Sequence, residues 1–297
     1  MIKNYIKAAR LRTLPLSVSG IIVGSTYAYL QEMFNPAIFI LAMLTTLTLQ
    51  VLSNFANDYG DGVKGTDANR IGEKRMVAAG LITSAQMKKA VILATISALV
   101  LIVLLIYTAF GKENFVLSIV FLLLGIGSSA AAIKYTVGNN AYGYSGFGDV
   151  FVFVFFGLVS VLGSHFLYTK QLDFNLIFAA VSIGVLSVAV LNLNNMRDIE
   201  NDRVANKNTL VVKMGLAKAK KYHYSLLLVG VMTFTVFLVI TKGGWGVVFL
   251  PALFLFLNYQ SVKNANTYKD FDPELKKVAL STFALSLLYA LHVFFIN

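Results

Sequence analysis

FNLIFAAVSIGVLSVAVLNLNNMRDIEND, residues 174–202, carries two messages in one stretch. From Phe174 to Leu193 no residue is charged, and the polar ones are Asn175, Ser182, Ser187 and Asn192. A run of this length and character crosses the hydrocarbon of a bilayer as one helix. It then ends abruptly in Asn194-Asn195-Met196-Arg197-Asp198, with Asp202 four residues on. An apolar span that delivers carboxylates to its own end is the pattern that organises the rest of the chain.

Eight further apolar runs recur along the 297 residues, near 14–31, 36–56, 90–110, 115–133, 149–168, 224–241, 244–258 and 278–296. Charged residues make up 13% of the chain and the mean hydropathy is +0.72. Soluble domains carry about 25% charged residues, so a water-soluble fold is excluded. The expectation is an all-α polytopic membrane protein of about nine transmembrane helices, residues 1–297 forming one domain. The basic segment before the first span leads into a retained helix, so no cleaved signal peptide is expected. No cysteine is present, which removes disulfides and thiolate metal sites.

The formal charge of +11 invites a nucleic-acid reading, but its placement answers it. With nine spans and a cytoplasmic N-terminus, all of the 25 Lys and Arg except Lys112, Lys170 and Lys242 fall on the cytoplasmic side. That is the positive-inside bias of membrane proteins, and no nucleic-acid partner is needed. An odd span count sends Asn297 outside.

Two cytoplasmic loops, about 57–89 and 196–223, hold most of the acidic residues: Asp58, Asp61, Asp67 and Glu73 in one, Asp198, Glu200 and Asp202 in the other. Asn54 and Asp58 recur 140 residues later as Asn194 and Asp198, each pair at the same end of an even-numbered span. Such spacing reads as a parallel internal repeat. On a helix Asn54, Asp58 and Asp61 share one face, as do Asn194, Asp198 and Asp202. Two facing triplets gather four carboxylates, which repel one another unless cations intervene. Oxygen-only ligands favour Mg²⁺, which takes one or two carboxylates and completes its shell with phosphate and water. Basic residues beside the motifs are candidates for the phosphates: Arg70, Lys74 and Arg75 after the first, Arg197, Arg203 and Lys207 around the second.

Between the repeats lies Tyr135-Thr-Val-Gly138-Asn139-Asn140-Ala-Tyr142-Gly143-Tyr144-Ser-Gly146-Phe-Gly148-Asp149. Its tyrosines read either as aromatic faces over a cavity, suited to an allylic cation, or as interfacial anchors around a glycine turn. The Phe151–Phe156 run reads as lipid-facing or packing surface. Of the histidines, His165 and His292 fall toward the outer ends of their spans, and His223 reads as solvated within a basic cluster.

Taken together, Asn57-Asp58-x-x-Asp61 with Asp198-x-x-x-Asp202 on nine spans resembles the UbiA superfamily of membrane prenyltransferases. Within it the chain is most similar to the branch acting on 1,4-dihydroxy-2-naphthoate in menaquinone synthesis. Supporting strings are Ala9 to Pro15, Asn54 to Asp67, Arg70 to Gly80, Tyr135 to Gly138, Tyr142 to Asp149 and Asn194 to Leu210. The last three spans match in hydropathy alone. The resemblance implies helices around a central cavity, a polar cap on the cytoplasmic side and a lateral opening to lipid, in a bacterial cytoplasmic membrane. It implies that Asn57, Asp58, Asp61, Asp198 and Asp202 hold Mg²⁺ and a polyprenyl diphosphate, the four aspartates being catalytic. Arg75, Arg197 and Lys207 would assist with the diphosphate, and Asn54, Asp67, Tyr135, Tyr142 and Asn194 complete the expected substrate-binding set. The implied reaction ionises the diphosphate, joins the prenyl group to the aromatic ring and releases CO₂.

Two features depart from the family pattern. Gly65 stands where relatives that act on 4-hydroxybenzoate place a third Asp, and Asn139 and Asn140 occupy a site where some relatives carry a basic residue. Other acceptors, 4-hydroxybenzoate or homogentisate, remain alternatives within the same chemistry. A CDP-alcohol phosphotransferase has Asp-Gly followed closely by Ala-Arg, which is absent after Asp61-Gly62. A secondary transporter predicts ionisable residues at the membrane midplane, where this sequence has almost none.

Overall fold

A backbone in hydrocarbon must satisfy its own hydrogen bonds, and long apolar runs do so as helices. The computed structural model, which describes residues 1–66, 72–138 and 141–296, is built this way throughout. Among the described residues nine helices are long and apolar enough to cross a membrane. The first joins α1 (Ile2–Ala8) through a tight turn to α2 (Leu14–Leu30). There follow α3 (Pro36–Lys64), α4 (Ser84–Phe110), α5 (Phe115–Lys134) and a fifth span from α6 (Gly148–Val152) through a π-helical stretch (Phe153–Gly163) to α7 (Ser164–Thr169). The sixth span is α8 (Leu176–Arg197); short α9 (Ile199–Val204) and α10 (Leu210–Met214) lead to α11 (Leu216–Ile240), α12 (Phe249–Asn264) and α13 (Asp272–Ile296).

Local signals set the helix ends. Asn35 accepts from the N–H groups of Ala37 and Ile38 just ahead of Pro36, which starts α3. Gly65, at φ 72°, ends the same helix. Thr83 and Gln86 form a reciprocal capping box at the start of α4.

The quoted stretch becomes the axis of the bundle. Along α8, Leu176, Ile183, Leu186, Leu193 and Met196 are wholly buried, packed with Phe234 and Phe237 of α11 and Tyr289 of α13. Those three rings meet edge-on with centroids 5.4–6.0 Å apart, an arrangement aromatic quadrupoles favour. Gly157 of the fifth span crosses α8 so closely that a Cβ there would lie 2.6 Å from the Ala180 carbonyl oxygen. Small residues permit such crossings in membranes. Outward-facing side chains are apolar instead: Leu93 and Val100 on α4, Leu123 on α5, Leu253 and Phe256 on α12 are all exposed. A skin of this kind needs lipid around it, and the chain is a multi-pass membrane protein.

The first acidic motif is helical rather than part of a loop. α3 continues through Asn54, Asn57, Asp58 and Asp61 to Lys64, so the connection to α4 begins at Gly65, not at 57. Similarly α11 begins at Leu216, and the second connection is correspondingly shorter. His223 is not solvated. It is fully buried on α11 and meets the Asn258 amide oxygen at 2.8 Å, while Asn258 donates to Glu274 at 2.8 Å.

Candidate active site

A cavity of about 380 Å³ runs down the middle of the bundle. Its polar end is lined by Arg10, Asn54, Asn57, Asp61, Arg75, Asn194 and Lys207; its far end by Ile21, Ile102, Phe121, Leu124 and Val159. The charged rim lies at the end of the bundle where α3 and α8 deliver their motifs, and the remaining length is mainly apolar, with hydroxyls such as Thr45, Ser128, Ser160 and Ser164 along it.

At the rim Asp61 and Asp202 each have a cation close by. Asp61 is buried, 3.4 Å from the Arg75 guanidinium, and accepts a 2.8 Å bond from the Tyr144 hydroxyl. Asp202 lies 3.8 Å from the Lys207 ammonium. Lys64 and Lys207 sit over the Tyr144 ring at 4.0 and 5.4 Å, within cation–π range. Tyr144 thus ties the first motif to the loop after the second, and its carbonyl accepts from the Asn208 N–H at 3.0 Å. The Asn201 side chain donates to the Thr66 carbonyl at 2.6 Å, a second bridge between the two acidic segments.

The segment after α5 closes over this rim because one helix position is bare. A Cβ on Gly60 would lie 2.7 Å from the Thr136 hydroxyl. In that space Thr136 is buried and donates to the Ala56 carbonyl at 3.1 Å, within 3.2 Å of the Asn57 amide oxygen. Tyr135 and Tyr142 line the cavity, rings 5.3 Å apart, and Tyr142 stacks on Phe151 at 3.9 Å. Phe151, Phe155 and Phe156 also line the cavity, so this run is not simply lipid or packing surface. Burial, followed by the carboxylates of Asp202, Asp149 and Asp61, pushes the Tyr135 hydroxyl well above the ordinary phenol range. Burial likewise raises Tyr142 and, with Asp61 beside it, Tyr144. All three are neutral hydroxyls at physiological pH.

Other expected site residues are placed differently. Both oxygens of Asp58 accept backbone bonds, from Met76 and Val77 N–H at 2.9 Å each, so Asp58 pins the segment before α4 and is absent from the cavity wall. Arg197 is fully buried and also off the wall, held to both oxygens of Asp198 at 2.7 Å. In this arrangement Asp58 and Arg197 hold neighbouring segments together at the end of the bundle where the two motifs meet. Asn54 donates to the Ala9 carbonyl at 2.8 Å, anchoring the α1–α2 turn while it lines the cavity. Asp67 and Arg70 fall outside the described residues, as do Asn139 and Asn140. Among the described residues no three His, Asp or Glu side chains form a ready metal-binding group. Tyr144 was missed as a site residue; its signal, a third tyrosine in the glycine-rich string, was present.

A membrane bundle around an apolar cavity with a carboxylate- and arginine-lined mouth defines a class of protein, and known proteins place it. The chain belongs to the UbiA prenyltransferase family, which it matches over residues 17–291. It is 41% identical to 1,4-dihydroxy-2-naphthoate octaprenyltransferase of Escherichia coli (strain K12), covering 98% of this chain and 94% of that protein. It is 35% identical to the protein of the same name from Mycobacterium tuberculosis, covering 97% and 95%. Among solved structures, an apo UbiA homologue from Aeropyrum pernix K1 shares the fold with a TM-score of 0.71 at 14% identity, covering 97% of this chain and 98% of that one. A UbiA homologue from Archaeoglobus fulgidus bound to DMAPP and Mg²⁺ gives 0.67 at 14% identity, covering 99% and 98%.

Proposed function

We propose that the chain transfers a polyprenyl group from its diphosphate to 1,4-dihydroxy-2-naphthoate, with loss of the ring carboxylate as CO₂, in a Mg²⁺-dependent reaction. The observation that carries the reaction class is the cavity itself, which is mostly apolar, with scattered Ser and Thr hydroxyls, and ends at Asp61, Arg75 and Lys207. The naphthoate acceptor is supported by the relatives that share 35% and 41% identity over nearly the whole chain.

The donor set suits Mg²⁺. Asn57, Asp61 and Asn194 offer oxygens on the cavity wall, and Asp202 adds a carboxylate beside Lys207. Hard oxygen donors with a phosphate to share are what this cation selects. Bound there, Mg²⁺ would neutralise the diphosphate and stabilise it as a leaving group. Arg75 and Lys207 already stand beside Asp61 and Asp202, so the same cations are positioned to meet phosphate oxygens.

The prenyl tail lies along the apolar wall, where each CH₂ removed from water contributes about 0.8 kcal/mol. Tyr135 and Tyr142 present neutral ring faces to the carbon that loses its diphosphate, where cation–π attraction stabilises positive charge. The allylic C–O bond breaks with its electron pair going to the diphosphate. A ring carbon of the acceptor then supplies the electrons for the new C–C bond, and the carboxylate departs as CO₂. Residues 1–297 act as one domain in a bacterial cytoplasmic membrane, with the charged rim and N-terminus cytoplasmic and the C-terminus outside.

The test is turnover by purified protein with Mg²⁺, octaprenyl diphosphate and either 1,4-dihydroxy-2-naphthoate or 4-hydroxybenzoate, read by product mass with EDTA as control. Mg²⁺-dependent product from the naphthoate alone, lighter by CO₂, is expected. Product from the benzoate instead would overturn the acceptor, and product from neither would overturn the reaction.

A further inference from the structure

Asp272, the first residue of α13, lies in the part of the chain where no motif stands out, yet it reaches into the second acidic motif. Its Oδ1 accepts from Arg197 Nη1 at 2.6 Å. The same guanidinium gives Nε and Nη2 to Asp198 at 2.7 Å each, and Nη2 to the Asn194 amide oxygen at 2.8 Å. Asp272 Oδ2 lies 3.6 Å from Arg12, which in turn pairs with Glu73 at 3.1 Å. Five groups of alternating sign, Glu73, Arg12, Asp272, Arg197 and Asp198, thus connect the segment before α4, the turn before α2, the start of α13 and the end of α8. Gly72 covers the Arg197 guanidinium so closely that a Cβ there would lie 2.5 Å from its central carbon.

The exposures are graded: the Arg197 side chain is 0% exposed, while those of Asp272 and Glu73 are 35% and 40% exposed. An arginine this deep needs its donors filled and its charge balanced. Asp198 alone balances the charge, but then its carboxylate is wholly committed to that pair. A second carboxylate on the same guanidinium changes this, because Asp198 shares its cation and keeps part of its negative charge for another partner. Asp272 also fixes the edge of the guanidinium opposite Asp198, so that Asn194 and Asp198 are presented in one orientation. Supports of this kind, behind the groups that hold a metal, typically alter affinity or activity by about 10–100-fold.

We infer that Asp272 is a positioning residue for the second acidic motif, acting through Arg197 to set how strongly that motif holds a divalent cation and diphosphate. The inference rests on the proposed metal-diphosphate chemistry and deepens it. It also gives α13 a part in the site that its apolar sequence does not announce.

The experiment titrates full-length purified protein with Mn²⁺ in the presence of inorganic diphosphate, following binding by electron paramagnetic resonance. Turnover with Mg²⁺ and thermal unfolding are measured on the same samples. Asp272→Asn is expected to weaken Mn²⁺ binding and raise the half-saturating Mg²⁺ concentration by about tenfold or more, with KM for the acceptor unchanged. Asp272→Glu is expected to lie between wild type and Asp272→Asn. In an Arg197→Gln background Asp272→Asn should add less than about a twofold loss, because coupled residues are not additive. Wild-type Mn²⁺ binding by Asp272→Asn, or its full effect persisting without Arg197, would overturn the inference. If Asp272→Asn does not accumulate, Asp272→Glu decides alone: intermediate binding supports the inference and wild-type binding overturns it. Failure of the wild type to bind Mn²⁺ or turn over would instead sink the underlying reading.

Discussion

Asp61 and Tyr144 meet at 2.8 Å, and in that contact the chemistry of the rim is most concentrated. A hydrogen bond to a charged group contributes about 1.5–3 kcal/mol, so Tyr144→Phe should slow turnover by roughly tenfold to a hundredfold while the protein still folds. Steady-state kinetics alongside thermal unfolding in detergent checks both halves of this statement. Asp61→Asn keeps an oxygen for Tyr144 and Arg75 but removes the charge; turnover should fall more than about a hundredfold with a modest change in melting temperature. The raised hydroxyls of Tyr135, Tyr142 and Tyr144 carry a pH consequence. A group whose folded pKa lies above its unfolded value adds stability below the ordinary phenol value of about 10 and loses it as pH rises further. Thermal unfolding should therefore show no tyrosine titration near neutrality and a decline above about pH 10. Residue identities at the rim were readable because Asp, Asn and Arg at the end of an apolar run are conspicuous. Their partners were not: Asp58 is satisfied by N–H groups 18 and 19 residues away, and Arg197 by a carboxylate 75 residues away. No periodicity encodes such meetings.

At the scale of elements, α3 was harder to delimit than α8. Its last three turns carry Asn54, Asn57, Asp58 and Asp61, which lower hydropathy without breaking the helix, so an apolar criterion stops early. Gly60 and Gly62 keep helical backbone, and both are closely covered, by Thr136 and Val77 respectively. Gly60→Val should push Thr136 off α3, cost turnover and loosen the 135–138 segment, which limited proteolysis would register. The start of α4 tests local capping instead. Thr83→Ala removes one half of a reciprocal cap and should destabilise by about 1 kcal/mol with little effect on turnover, since Thr83 is on no cavity wall. No periodicity announces the π-helical part of the fifth span, which turns Phe155 and Phe156 toward the cavity.

At the scale of the molecule, apolar length and charge bias made the number and sequence of spans legible, because burial in lipid leaves few alternatives to helix. Orientation remains a prediction with a clean test, since the chain has no cysteine. Single cysteines at Lys89 and Lys170 should react with a membrane-impermeant thiol reagent from opposite sides, Lys170→Cys in intact cells and Lys89→Cys after permeabilisation. Equal labelling of both from outside would contradict the orientation. The internal polar network of His223, Asn258 and Glu274 was invisible because each residue alone looks like a span-end group.

In the proposed reaction the rim of this cavity, between Asp61 and Asp202, holds the diphosphate, and the prenyl tail begins there. The structure of the protein with Mg²⁺ and an unreactive polyprenyl thiodiphosphate tests it most directly. Phosphate is expected within bonding distance of Arg75 and Lys207, metal on Asp61 or Asp202, and the tail running past Tyr142 toward Ile102. A diphosphate bound away from those four residues, or a tail outside the cavity, would contradict it.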